Sequence, residues 1–358
     1  MWRDDDSLLA LGYEDGEAGL FRLSLSEPPT RLWNGEVLFA DRNWAKASIT
    51  RSGGMLAVVR EDGSHPADVW TAEAPGEDSL SDGVEWVQRT RLQPELDELP
   101  TGRPTTLRWT APDGLPIQGV LLTPEDRRLD ERLPMVTIVH GGPTGMYHHG
   151  FVASYYWAPT LLASGFAVFL PNFRGSTGWG AEFAEANLGD MGGRDLADIL
   201  SGIDSVIESG RADPEKLYIA GWSYGGFMSA WAITQTDRFK AAVVGASISN
   251  WLSFHGVSNL SEWDKLFYRA DAYDIAGPFV QFSPIYHADK VRTPTLILHG
   301  EADPYVPVGQ GYEFFRALKE RGVEVEMVAY PREGHGFTER KHMEHLFSKV
   351  AAWCGSHR

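Results

Sequence analysis

From Leu133 onward, the sequence alternates short, continuously apolar segments with longer segments of helical periodicity. The apolar segments have strand length and cover residues 135–139, 166–170, 217–220, 241–245, 295–298 and 323–330. The helical patterns cover residues 153–164, 194–209, 224–236, 308–321 and 340–353. Buried strands separated by helices predict an α/β fold with a mostly parallel sheet covered on both faces. Ligands bind such sheets at the carboxyl ends of the strands, so we expect functional residues there.

The first 100 residues have a different pattern, which predicts antiparallel hairpins. Two pairs of apolar segments each flank an Asp-Gly turn, at 8–13 with 19–23 and at 55–59 with 68–72. Aligning Ala10 with Ala57 gives a period of 47 residues, which falls in the range of β-propeller blades, although similarity between unrelated hairpins is the alternative. We predict about two blades in residues 1–100 and a second domain in residues 101–358, which opens with a hairpin ending near residue 123.

Two blades are fewer than the four or more that close a propeller. We therefore expect either that the chain is a fragment of a longer protein or that its exposed strand edges are covered by association. The associated partner would be a second copy of the chain, giving a homo-oligomer, or a missing portion of the propeller.

Composition excludes several classes of function. The formal charge of −17 makes nucleic acid an unexpected partner, because phosphate contact needs clustered Lys and Arg. Cys354 is the single cysteine, so no disulfide framework or cysteine-based metal site can form. No signal peptide and no apolar run of membrane-spanning length is visible, which predicts a cytoplasmic protein with no membrane partner.

Ser223 is the strongest candidate for a catalytic residue. It follows a predicted strand, precedes a predicted helix and is flanked by Gly221, Gly225 and Gly226. A nucleophile on a sharp strand-to-helix turn needs glycine on both sides, because the turn leaves no room for neighbouring side chains. This setting predicts a serine hydrolase with the α/β-hydrolase fold; an ordinary glycine-rich loop is the alternative.

The other catalytic candidates follow later strands, in the order serine, acid, histidine that this class uses. His335 lies in a glycine-flanked loop after the last predicted strand and is the expected base. Asp303 follows the strand at 295–298 and is the expected acid, with Glu301 as its rival and Glu333 as a weaker one. The acid would hold the histidine in one tautomer and stabilise its protonated form.

Acyl transfer also needs N–H donors for the oxyanion. We expect one from Tyr224, which follows the nucleophile, and one from Gly142, in the His-Gly-Gly-Pro segment after the strand at 135–139. The sequence has neither a phosphate-binding glycine loop nor a zinc-binding His-Glu-x-x-His motif, so we expect no cofactor and no metal.

With these residues in place, residues 105–355 resemble the prolyl oligopeptidase family of serine peptidases, and within it the acylaminoacyl-peptidase branch. The matching segments are HGGP at 140–143, NFRGSTG at 172–178, GWSYGGF at 221–227, LHGEAD at 298–303 and VEVEMVAYP at 323–331. The resemblance implies Asp303 and not Glu301 as the acid, because the family's acid falls two residues after this glutamate. It also implies a propeller over the mouth of the hydrolase domain.

The resemblance also implies a substrate pocket. Its expected wall is formed by Tyr224 and by residues after the next two strands, namely Ile248, Trp251, Phe254 and Val306. Such an apolar, aromatic-rich wall suits a hydrophobic side chain, with plain core packing as the alternative. Arg174 matches an arginine that the family keeps near the active site, with a structural ion pair as the alternative.

These features together predict a peptidase that cleaves short peptides through an acyl-enzyme and releases N-acylated residues. The alternatives are another exopeptidase of the same family, such as a dipeptidyl peptidase or a carboxypeptidase, and an esterase. A binding module that has kept the fold without catalytic activity is the alternative that is not an enzyme.

Overall fold

The computed structural model describes residues 1, 7–39, 47–75, 84–99, 101–128, 131–152 and 155–358. The chain divides into two units, and the first comprises Met1–Pro104, His148–Tyr156 and Gly178–Gly180. The second comprises Thr105–Tyr147, Trp157–Thr177 and Ala181–Arg358. Two short stretches of the later sequence therefore belong to the N-terminal unit, which residue order alone does not indicate.

The N-terminal unit contains two antiparallel sheets. The first has the order β1-β2-β3, with strands β1 (Ser7–Glu14), β2 (Glu17–Ser24) and β3 (Thr30–Gly35). The second contains β4 (Leu38–Phe39), β5 (Ala47–Ile49), β6 (Met55–Glu61), β7 (Asp68–Glu73) and β8 (Val87–Gln88). The two predicted hairpins are β1–β2, in which Ala10 pairs with Phe21, and β6–β7, in which Ala57 pairs with Thr71.

Side chains from both sheets form one hydrophobic core, which includes Leu9, Leu20, Trp33, Phe39, Leu56 and Val58. The buried Asp68 carboxylate accepts hydrogen bonds from the Thr90 hydroxyl (2.6 Å) and the Leu92 N–H (3.0 Å), which holds the chain beyond β8 against β7. Among the described residues, one sheet has three strands and the other five, so the interpretation as two propeller blades stays a prediction.

The C-terminal unit is built on one mixed sheet of eight strands, with the order β16-β15-β14-β13-β11-β12-β10-β9. Its strands are β9 (Arg103–Thr110), β10 (Pro116–Thr123), β11 (Leu133–Val139), β12 (Ala167–Asn172), β13 (Ala212–Trp222), β14 (Phe239–Gly245), β15 (Thr295–Gly300) and β16 (Val325–Tyr330). Strands β11 to β16 pair in parallel, whereas β10 pairs antiparallel with β12. The predicted α/β class with a mostly parallel sheet is confirmed.

Nine α-helices accompany this sheet in the described part of the chain. They are α1 (Ala158–Ala163), α2 (Gly180–Ala184), α3 (Arg194–Glu208), α4 (Tyr224–Gln235), α5 (Trp251–Val257), α6 (Ser261–Tyr268), α7 (Pro278–Gln281), α8 (Gly309–Glu320) and α9 (Arg340–Ser356). Every residue of β15 is buried, so both faces of the sheet are covered there. Among the described helices, none is long and apolar enough to cross a membrane.

Sequence periodicity missed part of the helical structure. The predicted helix at 153–164 begins only at Ala158, and positions 153 and 154 lie outside the described residues. Helices α5, α6 and α7 between β14 and β15 were not predicted, because at four to eight residues each they are too short to show a clear period.

Candidate active site

Ser223 occupies a strained turn between β13 and α4. Its backbone has φ 61° and ψ −121°, a conformation that residues with a side chain rarely adopt. Its N–H donates to the carbonyl of Gly245 at the end of the neighbouring strand β14 (3.0 Å). The turn therefore has the geometry that the glycine pattern predicts for a nucleophile at the carboxyl edge of the sheet.

The flanking glycines are required by close backbone approach. A Cβ atom on Gly225 would lie 2.0 Å from the Val139 carbonyl oxygen, and one on Gly226 would lie 2.0 Å from the Gly245 oxygen. A Cβ atom on Gly221 would lie 2.2 Å from the Gly225 oxygen. These glycines let the start of α4 pack directly on the ends of β11 and β14, which fixes Ser223 between them.

The histidine and the aspartate predicted for the site contact each other. His335 Nδ1 lies 2.7 Å from Asp303 Oδ2, and the Asp303 side chain is fully buried. The other carboxylate oxygen of Asp303 accepts the N–H groups of Tyr305 and Val306, each at 2.9 Å. Because these bonds fix the carboxylate, they also fix the imidazole that it holds.

A bond from the nucleophile's own strand positions the His335 loop. The indole Nε1–H of Trp222, the residue before Ser223, donates to the His335 carbonyl oxygen (2.9 Å). The rings of Trp222 and Phe337 meet edge to face, with centroids 5.4 Å apart. Trp222, next to Ser223, and Phe337, two residues after His335, thus join the last loop to the serine turn.

The rival acids lie elsewhere. Glu301 is exposed. Glu333 is buried, and its carboxylate accepts the N–H groups of Thr338 and Glu339 and lies 2.9 Å from His342 Nδ1. Glu333, Glu339 and His342 place their ligand atoms within 4.8 Å of one another, a spacing that could hold a metal ion. Glu339 is also paired with Arg332, and the backbone bonds to Glu333 hold the loop that leads into α9.

One cavity, of about 190 Å³, contains both Ser223 and His335 in its lining. It also contains the two predicted oxyanion residues, Gly142 and Tyr224. Three of the side chains expected to bind substrate line it, namely Ile248, Phe254 and Val306. Leu260, Trp263 and Tyr305 complete the lining. The site is therefore a small pocket with apolar and aromatic walls that also contains Ser223 and His335.

Two residues predicted to bind substrate do not line this cavity. Trp251 is fully buried and packs against the cavity residues Phe254 and Trp263, with ring centroids 5.6 and 6.2 Å away. Arg174 is 2% exposed and forms ion pairs with Asp198 and Asp113, each at 2.7 Å. Trp251 supports the wall from behind, and Arg174 has the structural ion pairs that were its alternative explanation.

The loop after β11 brings Gly142 to the cavity. Its φ of +124° favours glycine, and a Cβ atom would lie 2.4 Å from the Thr144 nitrogen. His140 anchors the start of the loop: it stacks on Phe173 at 4.4 Å, and its Nε2 lies 2.9 Å from Ser176 Oγ. Burial lowers the pKa of His140 to about 4, so the imidazole is neutral near pH 7.

Tyr224 contributes to the site with both its backbone and its ring. It is the first residue of α4, so its N–H has no partner within the helix. Its hydroxyl donates to Oδ2 of Asp195, a fully buried carboxylate that also accepts the Gly192 N–H at 2.9 Å. Burial is the main cause that raises the pKa of Asp195 to about 7, and nearby Asp198 and Asp190 raise it further.

Sequence reasoning missed the cavity residues Leu260, Trp263 and Tyr305. Leu260 directly precedes the unpredicted helix α6 and Trp263 lies within it, and no sequence motif marks either residue. Tyr305 is two residues beyond Asp303, and that spacing is the only sequence signal it carries.

Comparison with known proteins identifies the family of this sequence. The model of the prolyl oligopeptidase family matches residues 153–357, more than half of the chain. The chain belongs to the prolyl oligopeptidase family. It is 31% identical over 373 residues to an uncharacterized peptidase, YuxL, of Bacillus subtilis (strain 168), covering 100% of this chain and 53% of that protein.

Solved structures of family members have the same fold. The acylaminoacyl peptidase of Pyrococcus horikoshii aligns with a TM-score of 0.84 and 26% identity, over 98% of this chain and 54% of that one. An acylaminoacyl peptidase in complex with Z-Gly-Gly-Phe-chloromethyl ketone aligns with a TM-score of 0.81 and 27% identity, over 99% and 56%. The chain therefore spans about half the length of these relatives.

Proposed function

We propose that this chain is a serine peptidase that releases N-acylated residues from short peptides. The observation that carries the proposal is that Ser223 and His335 line one small apolar cavity while the buried Asp303 holds His335 Nδ1. Similar structures that are acylaminoacyl peptidases support the choice of peptide substrates.

In the proposed reaction, Ser223 Oγ attacks the scissile carbonyl carbon while His335 Nε2 takes the hydroxyl proton. The protonated imidazole then gives this proton to the leaving amine as the peptide bond breaks, which leaves an ester between Ser223 and the acyl residue. Water attacks the ester and gives a proton to His335, which returns it to Ser223 as the acid product leaves. No cofactor takes part in these reaction steps.

Asp303 would act on the base without accepting a proton. With Nδ1–H of His335 donating to Oδ2, Nε2 is left unprotonated and can receive the serine proton. The two N–H groups on Oδ1 keep the carboxylate pointed at the ring in every step. This arrangement stabilises the imidazolium that forms when Nε2 takes the serine proton.

The N–H groups of Tyr224 and Gly142 would stabilise the negative oxygen of the tetrahedral intermediate. Both residues line the cavity beside Ser223. Their contribution comes from being held in place before the reaction, so no solvent has to reorganise as charge develops.

The cavity also suggests the acyl residue. Its volume of about 190 Å³ lies below the range typical of whole small-molecule sites, and suits one side chain. Phe254, Trp263, Ile248 and Val306 give it apolar walls, so a large hydrophobic P1 residue fits best. The relative solved with a phenylalanyl chloromethyl ketone supports this choice.

We further propose that the N-terminal unit is part of a β-propeller. Its two antiparallel sheets share one core, and similar structures of about twice this length align over nearly the whole chain. The rest of that propeller would lie outside this sequence or be supplied by a second copy.

A hydrolysis panel tests the proposed activity. It compares acetyl-Phe, acetyl-Leu and acetyl-Ala p-nitroanilides with a free-amino Ala-Pro anilide, a peptide with a free C-terminus, and p-nitrophenyl esters. We expect the acetylated anilides to be cleaved fastest among the amides, and Ser223→Ala to abolish their cleavage. Cleavage of esters alone would contradict the peptidase proposal. Preference for the free-amino anilide or the free C-terminus would favour another exopeptidase of the family.

A further inference from the structure

Two side chains of the cavity wall belong to one short segment. Ile248 follows β14, Phe254 lies on α5, and both are buried at the cavity. Residues 249–253, between them, do not line the cavity. The position of this intervening segment therefore determines where both wall side chains lie.

The side chain of Gln310 holds that segment. Gln310 lies in the first turn of α8 and is 1% exposed. Its Oε1 accepts the backbone N–H groups of Ser249 (3.0 Å) and Asn250 (2.9 Å), and its Nε2 donates to Ser253 Oγ (2.6 Å). Its own carbonyl accepts the Ser249 hydroxyl (2.7 Å). One amide thus contacts three residues of the segment.

Gln310 also follows directly on the loop of the catalytic acid. Its N–H donates to the Pro307 carbonyl (2.9 Å), one residue after the wall residue Val306. Val306 in turn donates its N–H to Asp303 Oδ1. Val306 and Pro307, which are adjacent in the chain, therefore connect the acid to Gln310, and Gln310 is hydrogen-bonded in turn to the segment that carries Ile248 and Phe254.

We propose that Gln310 is a positioning residue that sets which acyl side chain the cavity accepts, by fixing the segment of Ile248 and Phe254 relative to Val306. This inference rests on the proposed function, because it concerns the acyl residue of that reaction. Gln310 does not line the cavity and does not contact the reacting groups.

Methionine at this position keeps the length of the side chain but offers no strong acceptor. The buried N–H groups of Ser249 and Asn250 then lose their partner, so the segment must shift or admit water. Glu313, one turn further along α8, still accepts the Asn250 side-chain amide (3.0 Å) and the Ser253 hydroxyl (2.9 Å). We therefore expect Gln310→Met to fold with a displaced wall.

The test is the ratio of kcat/KM for acetyl-Phe and acetyl-Ala p-nitroanilides, measured on single preparations of wild type, Gln310→Met and Arg316→Met. Arg316 lies on the exposed face of the same helix and is the matched control. Because both substrates report on the same active molecules, the ratio does not depend on how much of a variant is folded. The rate of labelling by a small fluorophosphonate, which needs the triad but not the acyl pocket, is measured in parallel.

We expect Gln310→Met to lower the Phe-to-Ala ratio by about tenfold, mainly through a higher KM for the Phe substrate. Its kcat for the Ala substrate and its labelling rate should stay within about twofold of wild type, and Arg316→Met should keep the wild-type ratio. An unchanged ratio, or an equal loss on both substrates, would overturn the role of Gln310 and leave the proposed function intact. Wild type that cleaves neither anilide would instead refute the proposed function, and this inference with it.

Discussion

The turns that carry the reactive groups and the wall that receives the acyl side chain are held in place in different ways. The turn at Ser223 is fixed by close backbone packing, because a Cβ atom on Gly225 or Gly226 would lie 2.0 Å from a carbonyl oxygen, and the turn at Asp303 is fixed by backbone N–H groups that donate to its carboxylate. The wall between Ile248 and Phe254 is fixed by side-chain hydrogen bonds from α8. A substitution in the turns should therefore change the rate for every substrate. A substitution in the wall should change which substrate is preferred.

The largest effect is expected at the acid. Asp303→Asn should lower kcat by about 10⁴-fold, because an amide can donate to Nδ1 and favour the wrong tautomer of His335. Glu301→Gln, two residues earlier and exposed, is the matched control and should leave kcat within about twofold. Steady-state kinetics on acetyl-Leu p-nitroanilide measures both, and a larger loss in the Glu301 variant would reverse the assignment of the acid.

A smaller loss is expected when the serine turn is displaced. Gly225→Ala places a Cβ atom 2.0 Å from the Val139 oxygen, so α4 must move away from β11 and carry Ser223 with it. Displacement of about 1 Å should lower kcat/KM by about 100-fold on all anilides alike. Gly355→Ala, where a Cβ atom meets nothing within 4 Å, is the control. A loss confined to large acyl groups would mean that this turn belongs to the wall.

Tyr224 belongs both to the serine turn and to the wall of the cavity. The ionisation of Asp195, which lies behind Tyr224, makes the free energy of unfolding depend on pH. Since the pKa of Asp195 is raised from 3.8 to about 7, the folded protein holds a proton that the unfolded chain releases near pH 4. This stabilisation is present at low pH and is lost as the pH rises through 7. The Asp195→Asn variant has no carboxyl to lose this proton. The difference between its free energy of unfolding and that of wild type should therefore rise by roughly 2 to 3 kcal/mol from pH 5 to pH 8.

Urea unfolding of wild type and Asp195→Asn across this pH range provides the measurement. Glu208→Gln, an exposed carboxylate of the same helix, controls for the loss of a charge from α3. A difference between Asp195→Asn and wild type that stays flat with pH would show that Asp195 is not protonated in the folded protein.

The smallest effect is expected in the wall. Phe254→Leu enlarges the cavity and removes an aromatic contact, so it should lower the preference for acetyl-Phe over acetyl-Ala anilide by about tenfold. Val257→Ala, on the exposed side of the same helix α5, should leave the preference unchanged. Competition between the two anilides measures the ratio directly. An equal loss on both substrates would place Phe254 with the reactive turns.

The same contrast explains what the sequence could predict. Ser223 and His335 lie in short glycine-containing segments after strands, so pattern and chain order selected them as candidates, whereas Asp303 was preferred to Glu301 through the family resemblance. In the structure His335 contacts Asp303, and His335 and Ser223 line one cavity. The strands were predictable for a related reason, because continuous apolar runs indicate burial on both faces.

The wall could not be predicted in the same way. Trp263 lies on a helix of eight residues, and Tyr305 is an exposed loop residue. Which aromatic side chain faces the cavity depends on how α5 and α6 pack. Trp251 lies on the same helix as Phe254, but it is fully buried behind the residues that line the cavity. Arg174 is similar, because its partners Asp113 and Asp198 are distant in sequence.

The most direct test of the account is covalent labelling of the nucleophile. Wild type and Ser223→Ala are each treated with a fluorophosphonate, and the mass of the intact protein is measured. We predict that wild type gains the mass of one phosphonyl group and loses its anilide activity in parallel, and that Ser223→Ala gains none. An adduct of the same yield on Ser223→Ala would contradict the assignment of Ser223.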